Sequence, residues 1–197
     1  MAIQCSRCGR GYDATLFEFG RTIRCTCGER VGLAHRIHIP PSEAEPRFIA
    51  DAMLEKLARW LRLLGIDCAF ERGIADDALV KRAIDEGRTI LTRDRRLAED
   101  WRVDAIVEVP AGTISEQLAD VVDRCDLARR MRPFTRCSRC NVEVEDVSPN
   151  EVSGRVPERI LSTYERFVRC PSCGTVHWAG THTARMNRVI DSLRKAR

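Results

Sequence analysis

Eight of the ten cysteines in this 197-residue chain stand in four close pairs: Cys5/Cys8, Cys25/Cys27, Cys137/Cys140 and Cys170/Cys173. Two thiolates one or two residues apart can reach the same tetrahedral ion, so each pair reads as half of a zinc site. Disulfides are the competing use. They belong to oxidising compartments, whereas the opening "MAIQCSRCGR" has no apolar leader and no run is long enough to span a bilayer. The expectation is a cytoplasmic protein without membrane association. Cys5, Cys8, Cys25 and Cys27 then form one structural zinc site, with His35 as an alternative ligand because C-x-C is tight. Cys137, Cys140, Cys170 and Cys173 form the second. Four ligands leave no vacancy for water, so these ions hold shape rather than catalyse. A thioredoxin-like redox centre needs a single C-x-x-C, and iron-binding clusters are the remaining alternative. Cys68 and Cys125 stand alone and read as small buried apolar groups.

The formal charge of +4 counts every cysteine as neutral. A zinc held by four thiolates carries about −2, so two such sites bring the whole chain to about zero. Global charge therefore says little about nucleic acid, and local clusters carry that question.

Between the cysteine pairs the hydrophobic period switches repeatedly. "IPPSEAEPRF" (39–48) reads as a linker, since its prolines cannot continue an element. "RFIA" is a strand, and Met53, Leu54, Leu57, Leu61 and Leu64 mark one helical face ended by Gly65. "DCAF", "RTILT" and "DAIVEV" are further strands; "DDALVKRAIDEG", "DRRLAEDW" and "ISEQLADVVDRC" are helices. Such alternation predicts an α/β fold, a parallel sheet flanked by helices, with small zinc-ribbon modules at both ends. The expected divisions are an N-terminal zinc-ribbon-like module (1–40), an α/β core (46–131), a C-terminal zinc ribbon (132–186) with "VPERILSTYERF" as a helical insertion, and a basic helix or tail (187–197).

In a parallel sheet the residues that follow each strand share one edge, where ligands of open α/β folds bind. Asp51 follows the first strand, Asp76 and Asp77 open the helix after the second, and Asp94 follows "ILTR". Carboxylates grouped there repel unless a hard cation such as Mg²⁺ or Mn²⁺ sits among them. Aspartate is equally a favoured helix N-cap, and each of these acids sits at a capping position. Glu55, one turn into the first helix, is a weaker candidate acid that could face the site or pair with Arg59, and Asp104 begins a strand, on the opposite edge. Arg59 and Arg62 lie on the polar face of that helix, and Arg93, Arg95 and Arg96 surround Asp94. A second cluster, Arg129, Arg130, Arg132, Arg136 and Arg139, holds Phe134 and could track a nucleic-acid backbone while stacking a base.

"FIADAMLEKLARWLRLLGID", "DDALVKRAIDEGRTILTRDRRL", the paired "CSRC" and "CPSCG", and "HWAGTHTARM", in that order, resemble the Mut-seven C-terminal RNase domain family over about residues 46 to 186. The resemblance implies a PIN-like parallel α/β core with a fused zinc ribbon, whose acids bind divalent metal and hydrolyse RNA. Carried over by motif, Asp51, Asp76 (with Asp77) and Asp94 are the catalytic acids. His182 and Arg185 match the closing signature, as groups reaching the site or as a clasp between ribbon and core. Glu55 stands where the family has a small residue, and the N-terminal module lies outside the family domain, free to take a protein partner. The leading expectation is a metal-dependent ribonuclease. The alternative is a non-catalytic zinc-ribbon module that binds RNA or protein.

Overall fold

The computed structural model describes residues 2–40 and 45–195, with the side chains of 181–185 and 194–195 outside that description. In chain order it has β1 (Ala2–Gln4), β2 (Gly11–Asp13), β3 (Ile23–Arg24), β4 (Arg30–Val31), β5 (Arg47–Ala50), α1 (Glu55–Leu63) and β6 (Asp67–Phe70). There follow α2 (Asp76–Glu86), β7 (Thr89–Thr92), α3 (Arg95–Asp100), β8 (Ile106–Glu108) and α4 (Ile114–Arg124). The last elements are β9 (Glu145–Val147), α5 (Glu158–Leu161), β10 (Phe167–Arg169), β11 (Val176–Trp178) and α6 (Thr181–Lys195).

The chain divides into two compact units. One combines the residues up to Glu55 with Ala69–Ala111, the other Lys56–Cys68 with the residues from Gly112 onward. The chain crosses from one to the other within α1 and again within β6.

A four-stranded parallel sheet in the order β6–β5–β7–β8 underlies the α/β architecture, with Ile49 opposite Ile90 and Ile90 opposite Ile106. Its strands are apolar on both faces, as a sheet covered by helices requires. Ile49, Ile90, Leu79, Val80, Ala83 and Leu97 join one buried cluster in the first unit. Helix α2 stops at Gly87, whose φ of 62° lets its amide close back on the Ala83 and Ile84 carbonyls.

The N-terminal residues are built into this unit. Phe19, Ile37 and Ile39 pack against the same cluster, so Ile39, read above as linker, is core; residues 41–44 of that stretch lie outside the described residues. Arg30 joins Glu99 at 3.1 Å and also pairs with Asp100, while the Thr22 amide donates to the Asp100 carbonyl at 2.6 Å. Gly20, at φ 80°, allows the close approach: a Cβ there would stand 2.9 Å from the Arg102 carbonyl oxygen.

In the second unit, α4 carries a capping box, Thr113 with Glu116, buries Leu118 and Val121, and contacts α6. The antiparallel sheet β11–β10–β9 puts Val147 and Phe167 in a small core backed by Trp178. One expectation shifts here. The stretch 156–167 is helical only at α5, because Phe167 is drawn into strand pairing with Val147 and Trp178. The closing helix, read in "HTARMNRVIDSLRKAR" from His182, begins at Thr181 and buries Ile190 and Leu193.

Candidate active site and metal centres

Asp51 is placed by β5, whose pairing continues one step further as its amide donates to the Leu91 carbonyl at 2.9 Å. It is 6% exposed. Oδ1 accepts from the Ala52 amide, capping the short 3-10 turn Ala52–Leu54, and Oδ2 accepts from the Thr92 hydroxyl at 2.6 Å. The same hydroxyl oxygen accepts the Asp94 amide at 2.9 Å. Fully buried Thr92 thus ties the end of β5 to the acid after β7. Asp94 itself caps α3, accepting from the Arg96 amide at 2.8 Å.

Asp76 differs. It occupies the first position of α2 behind Ala75 and makes no cap bond. Although it reaches solvent, its carboxyl is pushed above the usual carboxylate range by the protein mass around it, then by the charges of Asp51, Asp94, Asp100 and Asp77. Asp77 is exposed and accepts from the Ala78 amide at 2.8 Å.

Asp51, Asp76 and Asp94 therefore share one electrostatic neighbourhood in which negative charge raises the Asp76 pKa. Among the described residues, only cysteine groups bring three or more ligand atoms within 4.8 Å of one another, so these carboxylates do not converge to that distance. Mg²⁺ commonly binds through one or two carboxylates and keeps several waters. Asp51 and Asp94 held by caps, with an Asp76 that feels their charge, fit that mode of binding.

The arginines divide sharply. Arg59, Arg93, Arg95, Arg96 and Arg132 are exposed, Arg95 pairing with Glu108 at 2.8 Å. Arg62, expected on an RNA-facing surface, is 5% exposed instead. Its guanidinium donates to the Cys68 carbonyl at 2.7 Å, to Ser138 at 3.2 Å and to Arg139 at 2.8 Å. Glu55 pairs with Arg72 at 2.8 Å. The side chains of His182 and Arg185 lie outside the described residues.

Both cysteine sets assemble as the spacing predicts, and His35 belongs to neither. Sulfur separations of 3.6 Å for Cys5–Cys27, 3.5 Å for Cys8–Cys25 and 3.9 Å for Cys137–Cys173 bracket the ~3.8 Å of a tetrahedron with Zn–S bonds of about 2.3 Å. Each pair is followed by a residue at positive φ, namely Gly9, Gly28, Asn141 and Gly174. Its amide closes the turn onto the first cysteine's carbonyl at 2.8 to 3.0 Å. Each set also contains a thiol poised to ionise: the Cys27 amide and the Tyr12 hydroxyl hold Cys25 at about 5, and Thr175 holds Cys173 at about 6. The donors fit zinc at both sites.

Arg62 then has a role. A four-thiolate zinc site is doubly negative, and this buried cation grips the backbone of the "CSRC" turn that supplies two of its ligands. Asn141 adds a second hold, accepting the Cys68 amide at 3.1 Å and donating to Asp67 at 2.7 Å. Neither Thr92 nor Asn141 stands out in the sequence. The one available signal is position: a threonine ending a strand just before "RD", and an asparagine where the other turns have glycine.

A parallel sheet with acids at its strand ends, joined to cysteine turns able to hold zinc, defines a class: an α/β domain carrying a candidate hydrolytic site and zinc-ribbon-like modules. The chain belongs to the Mut7-C RNAse domain family, whose model matches residues 46–190. That membership supports a nuclease-like function with RNA as the substrate class. Comparison with curated proteins and with solved structures finds no match. Among the described residues, no helix is long and apolar enough to cross a membrane.

Proposed function

We propose that this protein is a ribonuclease that hydrolyses RNA phosphodiester bonds with Mg²⁺ or Mn²⁺ bound by Asp51, Asp76 and Asp94. The observation that carries the reading is the link Asp51–Thr92–Asp94 beside an Asp76 whose pKa is raised by burial and by their charges. A bound divalent ion supplies a polarised water and counter-charge for the phosphate. Thr92 and the Ala52 amide fix the Asp51 carboxylate in one orientation, and the cap bond fixes Asp94. Water adds to phosphorus, one P–O ester bond breaks, and the products are a phosphate monoester and a free hydroxyl.

Exposed Arg59, Arg93, Arg95, Arg96 and Arg132 are assigned to the RNA backbone, with His182 and Arg185 added from the family's closing signature. Arg62 is not among them. The N-terminal module is assigned to a protein contact, and ten unpaired cysteines suit a cytoplasmic setting.

Zinc-loaded protein should cleave single-stranded RNA only with added Mn²⁺ or Mg²⁺. Asp51→Asn and Asp94→Asn should abolish cleavage while leaving the circular dichroism spectrum unchanged. Undiminished cleavage by both variants sinks the assignment. One observation favours a second reading, a non-catalytic binding module: Asp51 and Asp94 both accept helix amides. On that reading the same variants lose stability, no divalent dependence appears, and RNA binding falls steeply with salt.

A further inference from the structure

The ribbon sheet has two faces, because side chains alternate along each strand. Phe167 with its neighbours Val147 and Trp178 builds the core, so the register partners Val168 and His177 belong to the opposite face. There the second unit holds a pocket of about 220 Å³, lined by Pro133, Phe134, Arg166, Val168, His177 and Trp178 among others. An adjoining hollow shares Phe134, Val168, His177 and Trp178 and is also lined by Arg136 and Met186. At that size the pocket is smaller than the ~300–1,000 Å³ of a drug-sized ligand site and suits a single planar ring.

Three features make it more than an apolar dent. Nε2 of His177 and Nε of Arg136 are buried without a hydrogen-bond partner among the described residues, which is costly unless a ligand or water meets them. Phe134 sits at φ 65°, a left-handed conformation rare for a bulky aromatic, and is fixed by its amide donating to the Leu63 carbonyl at 2.9 Å. The turn bearing it lies so close to Gly65 that a Cβ there would stand 2.2 Å from the Arg132 carbonyl oxygen. Finally, residues 129–139 hold five arginines and no acid, with Phe134 among them. Exposed Arg129, Arg130, Arg132 and Arg139 offer charge to a phosphate chain on either side of the ring.

We propose that this pocket receives one nucleobase of a single-stranded RNA, stacked on Phe134 with its polar edge toward His177, while the flanking arginines hold the adjoining phosphates. The proposal rests on RNA as the substrate and gives the ribbon unit a part in gripping it. Burial holds the His177 imidazole below its usual pKa, so at neutral pH it offers one donor and one acceptor, the complement of a base edge. An apolar peptide would use the aromatic wall but leave the buried nitrogens unmet and the arginines idle.

The test is fluorescence anisotropy on the full-length, zinc-loaded chain without added divalent ion, RNA integrity being checked on a gel. The probes are a uridine decamer and the same ribose-phosphate decamer lacking bases. Wild type should prefer the decamer with bases. Phe134→Ala should weaken that complex by roughly 5- to 150-fold and bring the two probes level, with zinc content and melting temperature kept. Phe134→Trp should retain binding, and His177→Phe should cost about 2- to 10-fold on the uridine decamer alone.

Equal loss on both probes, no loss in either Phe134→Ala or His177→Phe, or no preference for bases in wild type overturns the pocket. Base-dependent binding in a chain that never cleaves RNA would refute the ribonuclease reading and leave the pocket standing. Divalent-dependent cleavage without base-dependent binding would do the reverse.

Discussion

Replacing Thr92 with valine keeps shape and volume but deletes one hydroxyl. In the fold that hydroxyl donates to the Asp51 carboxylate at 2.6 Å and accepts the Asp94 amide at 2.9 Å, in a position with no solvent exposure. A hydrogen bond to a charged group is worth about 1.5–3 kcal/mol, and an amide left unmet adds about 1 kcal/mol where water reaches it in part. No cavity forms, so the expected loss is about 2–4 kcal/mol, a fall in melting temperature of roughly 4–16 °C for a chain of this size. Releasing the Asp51 carboxylate should also weaken Mn²⁺ binding by about 10–100-fold, the usual effect of losing a group that orients a ligand. Both quantities come from thermal melts of the zinc-loaded chain across a Mn²⁺ titration. Thr92→Ser, which keeps the hydroxyl, should restore the metal response and most of the stability. A Thr92→Val variant within about 0.5 kcal/mol of wild type would show that the hydroxyl holds neither acid. A Thr92→Ser variant as impaired as Thr92→Val would assign the effect to the methyl group instead.

Asp76→Asn should raise the melting temperature in divalent-free buffer at neutral pH. The folded pKa of Asp76 is raised, so ionisation weakens the fold above that pKa, and the advantage of asparagine should vanish below the ordinary carboxylate range. Saturating Mn²⁺ should stabilise wild type over the variant, as melts at several pH values would read. Arg62→Met should loosen the second zinc site by about 10–100-fold and spare the first, measured by competition with a chromogenic chelator. Gly65→Ala should destabilise strongly, since both its φ of 81° and the 2.2 Å approach to the Arg132 carbonyl exclude a Cβ; chemical denaturation would measure it, and a loss under 1 kcal/mol would contradict the close approach.

What could be read from sequence was periodic or local. Strand, acid, helix recur in order, so Asp51, Asp76 and Asp94 fall at strand ends and helix starts without knowledge of any contact, and Gly65 and Gly87 announce the helix stops. Cysteine spacing was sufficient for both four-sulfur groups, C-x-C included. The misses are long-range. Arg62 looked solvent-facing by helical period, but its partners at Ser138 and Arg139 lie 76 and 77 residues away. Glu55 pairs with Arg72, 17 residues away, a contact that no helical spacing announces. The N-terminal segment is legible as a cysteine module, but nothing local reveals that Arg30 will meet Glu99 and Asp100.

These long-range anchors change how the arginines should be counted. Arg62 holds a cysteine turn, Arg30 ties the N-terminal residues to α3, and buried Arg88 donates to the Phe48 carbonyl at 3.0 Å while pairing with Glu86. Such residues add to the basic composition without offering charge to RNA, so salt dependence should report fewer phosphate contacts than composition suggests. The anchors also connect the second cysteine set to the turn that bears the proposed base pocket. Arg62 and Asn141 clamp the "CSRC" turn to the segment ending at Cys68, and that segment carries Gly65 and Leu63, against which the turn bearing Arg132 and Phe134 closes. Zinc bound at the second site should therefore stabilise the aromatic pocket through contiguous backbone contacts, and stripping it should release the proposed hold on RNA before the α/β sheet unfolds, as anisotropy and circular dichroism during chelator titration would read.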